Sequence, residues 1–332
     1  MAAAVPGCRT NSGVAILHAR IAAATFAAAI LLSATDAVLG QDKYPAKLIR
    51  IVTAAPGSNH DWGARLTAQE LAPRIGQKVI VDNRGGIAIE YVAKDVQPDG
   101  YTLLFYGAVV WLQPYLAKVN WDPLTDFSPI TLAITSPSVL VVHPSLPVKT
   151  VKEMIALARS RPGQLNYGGG GGGSTPHIAG ELFKYLARLD IVRVRYKGTG
   201  PAMIGLLTGE VQLMFSALGP TMPHVRQGRV RALAVTTTKR TRLAPELPTV
   251  AETLPGFEAE AAIGFFVPRK TPAAVVGVLN REIAQALKGA DPQVLANNAV
   301  EVVTGSPEEF AAFIKSEMAR MSQVIKSANF SN

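Results

Sequence analysis

The chain has 332 residues, 48% hydrophobic and 17% charged, with 33 Lys and Arg against 24 Asp and Glu and a formal net charge of +9. That length suggests about two domains, and the balance is that of a globular chain with ample core rather than a disordered or fibrous one. The basic excess forms no Lys/Arg stripe interleaved with aromatics, which argues against a nucleic-acid binder; it reads either as solubility or as mild attraction for anions.

Arg9 and Arg20 precede 13 apolar or small residues, Ile21–Ser33, and small residues recur around Val38-Leu39-Gly40. A positive flank, a short apolar core and a small-residue site describe a secretory signal peptide over residues 1–40, cleaved after Gly40. A retained membrane anchor is the alternative, although the core is too short to span a bilayer comfortably. Cys8, the only cysteine, lies upstream of that core, so the mature chain would hold no disulfide and no thiol chemistry. Loss of Arg9, Arg20 and Asp36 leaves 31 basic against 23 acidic residues, net +8. No later stretch approaches 18 continuous apolar residues, so the expectation is a soluble mature protein.

Leu48 to Val52 is a β-branched run that predicts a buried strand. It breaks at Thr53–Asp61, a Pro/Gly-containing loop, and the periodicity of Trp62, Leu66, Gln69, Leu71 and Ile75 predicts a helix with Asp61 as its cap or first-turn acid. Lys78–Val81 is the next strand and Ile87–Val96 a short helix. Pro98-Asp99-Gly100 is a turn and Tyr101–Tyr106 a third strand. Such alternation argues for a parallel-type α/β layer. Trp111–Trp121 reads as loop-like. Two strand-like segments, Phe127–Ile134 and Ser138–Val142, flank Ser136-Pro137, where the first crossing into a second lobe is placed.

That lobe repeats the alternation: helix Val151–Ala158, strand Gln164–Tyr167, a glycine run and its helix, strand Ile191–Arg195, helix Pro201–Leu207, strand Val211–Phe215, helix Met222–Gln227, strand Val230–Val235. After Thr236–Arg240 the chain returns, through a proline-rich connection and strand Ala261–Val267, to two long helices, Pro272–Leu287 and Pro307–Ile325. Ser306, Pro307 and Glu309 make a clear start signal for the last. The expected division is residues 43–134 plus 237–332 as lobe one and 135–236 as lobe two. Two crossovers would form a hinge, with loop-to-helix junctions aimed into the cleft between the lobes.

The glycine run Gly168–Gly173 ends in Ser174 and Thr175, good helix caps, and Pro176. It reads either as a flexible linker or as a bare-backbone loop delivering N–H groups and a helix dipole onto an anion. The strand before it, the cap after it and the similar loop at Thr53–Asp61 favour the second. No catalytic motif survives inspection: the run lacks the last glycine of a G-x-S-x-G elbow and the G-K-[ST] ending of a phosphate loop. No two histidines stand at i, i+3 or i+4, so neither a metal nor another cofactor is expected.

Together these residues resemble the substrate-binding proteins of tripartite tricarboxylate transporters, the Bordetella uptake gene family, over about residues 44–330. The segments that carry the resemblance include Tyr44-Pro45-Ala46-Lys47-Leu48-Ile49-Arg50-Ile51-Val52, Val81-Asp82-Asn83-Arg84, Pro98-Asp99-Gly100-Tyr101-Thr102-Leu103 and Asp126-Phe127-Ser128-Pro129-Ile130. Leu165-Asn166-Tyr167, His177–Phe183, Tyr196-Lys197-Gly198, Arg231–Val235, Leu247–Glu252 and Pro307-Glu308-Glu309-Phe310 continue it, in order and spacing.

The resemblance implies an α/β periplasmic solute-binding protein of the type II fold, two lobes with a two-strand hinge closing on a small carboxylate. It implies no catalysis, monomeric action, and delivery to membrane permease subunits of a tripartite tricarboxylate transporter. A periplasmic ligand sensor for a signalling partner is the alternative, and an enzyme acting on a carboxylate a further one. The family holds its ligand through backbone N–H groups of two loops. The first corresponds here to Ala55, Pro56, Gly57, Ser58, Asn59 and Asp61, the second to Gly169, Gly170, Gly171, Gly172, Gly173, Ser174 and Thr175. Lys197 and Gly198 after Tyr196, and Phe215 with Ser216, line the cleft by the same resemblance. This sequence departs from the family in keeping few polar side chains: Ser58 replaces one of a glycine pair, Ser216 an acid, and glycines the usual Ser/Asn of the second loop. The expected ligand is therefore a carboxylate with an apolar or aromatic body, chosen by Trp62, Tyr106 with its neighbour Gly107, and Trp111. Core packing is the competing role for each of these aromatics, as helix capping is for Asp61.

Overall fold

Three strands open the fold as the sequence leads one to expect. Ile49–Thr53 (β1), Val79–Asn83 (β2) and Thr102–Gly107 (β3) pair in parallel with β1 in the middle. The structure, a computed structural model, describes residues 1–4 and 44–328. From residue 5 onward the expected signal peptide, Cys8 included, lies outside the described residues.

Asn59–Ile75 (α1) follows β1. Its cap is Ser58, whose side chain accepts the Asp61 N–H, and Gly76 closes it in the left-handed region at φ 65°. Asp61 thus takes the first-turn position rather than the cap. Ala88–Lys94 (α2) links β2 to β3. The segment after β3 is not irregular: Val109–Leu112 (α3) is helical and Gln113–Tyr115 forms a 3-10 turn. Trp111 supplies the reason. Its indole is 1% exposed and lies edge-on to Phe310 and Phe313, at 6.3 and 6.2 Å between ring centroids. Burying so large a ring holds a segment whose local pattern is weak.

Phe127–Ser136 (β4) runs straight through Ser128-Pro129 and extends two residues past the strand-like segment read from the sequence. Pro129 pairs with Phe266 beside a register shift, where a missing N–H breaks no regular ladder. Pro137 then separates β4 from Ser138–Val142 (β5), the first strand of a second sheet. That sheet and its helices are built from Val151–Ser160 (α4), Asn166–Gly169 (β6), Thr175–Ala187 (α5), Val192–Arg195 (β7), Thr199–Leu207 (α6), Leu213–Ala217 (β8), Leu218–Arg226 (α7) and Arg231–Val235 (β9). The chain returns through Ala261–Pro268 (β10) to Ala273–Lys288 (α8), Pro292–Asn297 (α9), Glu301–Val302 (β11) and Pro307–Ala328 (α10). The small elements α9 and β11 are absent from the sequence reading, which found only the two long helices there.

Among the described residues, six strands form one sheet in the order β11-β4-β10-β3-β1-β2, and five form the other in the order β7-β6-β8-β5-β9. Both are mixed. β10 runs antiparallel to β3 and β4, and β5 antiparallel to β8 and β9. Local βα alternation signals parallel pairing; the antiparallel strands are those on either side of the crossings. The two crossings run side by side: Ser138 O accepts the Thr236 N–H at 2.9 Å, and Thr236 Oγ1 accepts the Ser138 N–H at 3.0 Å.

Each sheet has its own aromatic core. Trp111, Phe127, Phe266 and Phe310 pack together on the first, and Tyr167, Phe183, Phe215 and Phe257 on the second. α10 lies close against the first sheet because of Gly264: a Cβ there would stand 2.4 Å from the Phe310 ring and 2.6 Å from Thr131 O.

Candidate functional site

The loop between β1 and α1 is closed on itself. Ser58 Oγ donates to Ala55 O at 2.8 Å. Asp61 accepts the Gly57 N–H at 2.9 Å, Asn83 Nδ2 at 2.9 Å and Arg65 Nε at 2.9 Å. Burial alone would push the Asp61 carboxyl up, but Gly57, Arg65 and Asn83 outweigh it and hold it below the usual carboxylate range. Asp61 is therefore a clamp that shapes the loop, and Gly57 has given its N–H to that clamp.

The glycine loop is shaped differently. Gly168 and Gly169 belong to β6, so the strand runs two residues into the glycine run. Ser174 N–H turns back to Gly171 O at 3.1 Å, and Gly173 donates to His177 Nδ1 at 3.1 Å. Arg193 Nη2 donates to Gly170 O at 2.7 Å, which fixes that carbonyl away from the turn. Ser174 is the N-cap residue of α5, yet its side chain makes no capping bond; its Oγ is shielded from solvent and has no hydrogen-bond partner.

A cavity of about 320 Å³ lies between these two loops. Three helix starts reach it: Ser58, Asn59 and His60 at α1, Ser174 and Thr175 at α5, and Gly198 with Thr199 at α6. The first-turn N–H groups of a helix have no acceptor within it, and the dipole adds partial positive charge. Lys197 is the one formally charged side chain among the lining residues, which include no carboxylate. Ala54, Ala108, Val109, Ala217, Ala262 and Ile263 make much of the remaining wall apolar, beside the polar Gln113 and Ser138. The site can thus hold a negative charge against backbone donors and enclose an apolar body.

Of the residues singled out in the sequence, the cavity brings together Ala55, Ser58, Asn59, Tyr106 and Gly107 from one side and Gly170, Gly171, Gly172, Ser174 and Thr175 from the other, with Lys197 and Gly198. Pro56, Gly57 and Asp61 stay behind the first loop, and Gly169 stays in its strand. Gly173 turns instead toward Gln113, whose backbone N would stand 3.4 Å from a Cβ at that position. Phe215 is fully buried among Phe183 and Phe257, and Ser216 is paired with Val139 in the sheet; the next residue, Ala217, reaches the cavity. Trp62 lies half-buried on α1 outside the lining, and Trp111 belongs to the aromatic core described above.

Tyr106 is the aromatic that does face the cavity. Its hydroxyl donates to Gly85 O at 3.3 Å, and burial pushes its pKa up to about 12. Its ring lies 4.9 Å from that of His60, whose pKa burial pushes down to about 4. Sequence reading passed over His60 as a lone histidine, and it passed over Gly85, Gly86, Gln113, Ser138 and Ala261 as well. The return strand β10 carried a usable signal: a strand that re-enters the first sheet at a crossing must pass the mouth of the cleft.

The sequence matches the tripartite tricarboxylate transporter family receptor over residues 64–330. It is 36% identical to an R. palustris protein solved with adipate, a match covering 87% of this chain and 99% of that one with a TM-score of 0.81. The periplasmic binding protein BugD is 30% identical over 87% of this chain and 99% of its own, with a TM-score of 0.79. MatC from Rhodopseudomonas palustris, solved with bound malate, is 30% identical over 85% of this chain and all of its own (100%), with a TM-score of 0.77.

Proposed function

The chain belongs to the tripartite tricarboxylate transporter receptor family, and we propose that its task is to capture a small carboxylate in the cavity between the two loops and to deliver it to membrane permease subunits. The observation that carries this reading is electrostatic: three helix starts and Lys197 meet at one cavity whose lining holds no acid. A carboxylate there gains charge-assisted bonds from backbone donors. The apolar wall favours an acid with a hydrocarbon body over one crowded with hydroxyl and carboxyl groups, and the relative solved with adipate supports that preference.

Closure of two lobes, residues 43–134 plus 237–332 against 135–236, would trap the ligand, with the paired crossings at Ser138 and Thr236 as the hinge. The periplasm is the place we assign to it, on the signal-like N-terminus and the likeness to BugD. The site is read as one that binds without transforming, in keeping with a receptor family.

The test is a thermal-shift screen of residues 41–332 against mono-, di- and tricarboxylates, amino acids, sulfonates and phosphates. Ligand at about 100 times its dissociation constant adds about 2.7 kcal/mol, several degrees in melting temperature for a chain of this size. Stabilisation by carboxylates alone is the expected result. Binding confined to other classes would overturn the reading, and binding confined to tricarboxylates would overturn the apolar-body preference.

A further inference from the structure

Arg193 reaches the glycine loop from outside the cavity. It stands on β7 opposite Tyr167 of β6, and the cavity lining does not include it. Its side chain runs close to Gly169, where a Cβ would stand 3.1 Å from Nε and 3.3 Å from the Tyr167 ring. From there Nη2 donates to Gly170 O at 2.7 Å. A second glycine makes room on the other side of the tyrosine: a Cβ at Gly180 of α5 would stand 2.4 Å from that ring.

A bond to one carbonyl decides where the next N–H points. The peptide joining Gly170 to Gly171 is planar and trans, so its C=O and its N–H point in opposite directions. With Gly170 O held toward Arg193, the Gly171 N–H is turned to the other side. Gly171 lines the cavity, its own carbonyl is taken by the Ser174 N–H, and among the described residues none accepts its N–H. A run of glycines has no side chains to fix it and can adopt either sign of φ, so a tie from outside is what keeps this peptide plane from turning over.

We propose that Arg193 is a positioning residue for ligand capture: by holding Gly170 O it aims the Gly171 N–H at the carboxylate in the cavity. The proposal rests on the carboxylate reading of the cavity. Replacing Arg193 strands no carboxylate, because Glu181 keeps the Tyr167 hydroxyl at 2.6 Å and Lys184 at 3.1 and 3.2 Å.

The test combines calorimetry with the backbone amide spectrum of wild type, Arg193→Met and Arg193→Lys. The probe is adipate, or the carboxylate that most stabilises wild type in the screen if adipate does not bind. In wild type the Gly171 amide proton is expected to move downfield at saturation. Arg193→Met keeps the apolar stem and loses the donor; affinity falls about tenfold, the size of one bond involving a charged group, and the Gly171 shift falls by more than half. Because the effect is one of geometry, the loss persists at about 1 M salt, where charges are screened within about 3 Å. Arg193→Lys keeps a cation and a donor and recovers a substantial part of both readouts. Ligand-free melting curves establish that each variant folds. Affinity within about twofold of wild type in Arg193→Met, a loss that disappears at high salt, or an unaltered Gly171 shift overturns the inference while leaving carboxylate capture intact. A lower melting temperature with affinity and shift retained assigns Arg193 a purely structural role and also overturns it. If Arg193→Met does not fold, wild type still decides, since a Gly171 amide that does not move at saturation overturns the inference by itself. Failure of wild type to bind any carboxylate of the screen defeats the underlying reading before a substitution is made.

Discussion

Placing a negative charge in the glycine loop tests whether the loop faces an anion. Gly171 lines the cavity, and a Cβ there meets nothing within 4 Å. Its φ lies outside the left-handed region, so a side chain is accommodated without strain or displacement. Gly171→Asp therefore adds charge without disturbing the fold, and Gly171→Asn adds nearly the same shape without charge. Two like charges about 6 Å apart at an effective dielectric of about 20 repel by about 2.8 kcal/mol, roughly a hundredfold in affinity. At that separation they lie within the Debye length of about 8 Å at physiological salt, and raising the salt to about 1 M shrinks the length to about 3 Å. Calorimetry with the acid found in the screen should show a hundredfold loss for Asp, partly recovered at high salt, and a loss below about fivefold for Asn. Ligand-free melting temperatures should agree among all three proteins. The reasoning is refuted if Asp binds as well as wild type, or if Asn loses as much as Asp, which would make the effect one of shape.

Three further outcomes follow from particular contacts. Ser174→Ala should leave the ligand-free melting temperature unchanged, although removing an N-cap serine ordinarily costs about 1 kcal/mol, because this hydroxyl makes no capping bond; affinity should fall about five- to tenfold, and a lower melting temperature with intact affinity would count against it. Gly264→Ala should cost about 1–3 kcal/mol of stability, read as a lower denaturant midpoint, since Phe310 and the Thr131 carbonyl occupy the space, and an unchanged midpoint would contradict the packing described. Glu260, just before β10, has its pKa pushed up to about 7, first by burial and then by Glu301 and Glu258. The folded state keeps that proton where the unfolded chain loses it, so the stabilisation is present below pH about 4.5 and is lost as pH rises through 7, by at most about 3 kcal/mol and less with partial exposure. Glu260→Gln should therefore gain stability over wild type at pH 8 and not at pH 4.5, and an equal difference at both would exclude the titration of Glu260 as its source.

Much of this fold was legible in the sequence because its signals are local. Period-two and period-3.6 patterns, the Ser306–Glu309 capping box and the Ser136-Pro137 break depend only on neighbours along the chain, and β1 to β10 lie within a few residues of where those patterns place them. That each of these two loops joins a strand to a helix start was legible too, since glycine and proline between a strand and a capped helix leave few conformations. Tertiary structure decided what those signals do not carry. Trp111 and Tyr106 are both aromatics near the end of β3, yet one is buried against Phe310 and Phe313 while the other faces the cavity, a difference set by α10, two hundred residues away in the chain. Asp61 and Gly57 stand in the first loop but satisfy each other, which only the folded geometry reveals. His60 reads in the sequence as one histidine among five. Folding sets it on the cavity lining with its ring 4.9 Å from that of Tyr106 and its Nε2 against Gly107, placements that depend on residues distant in sequence.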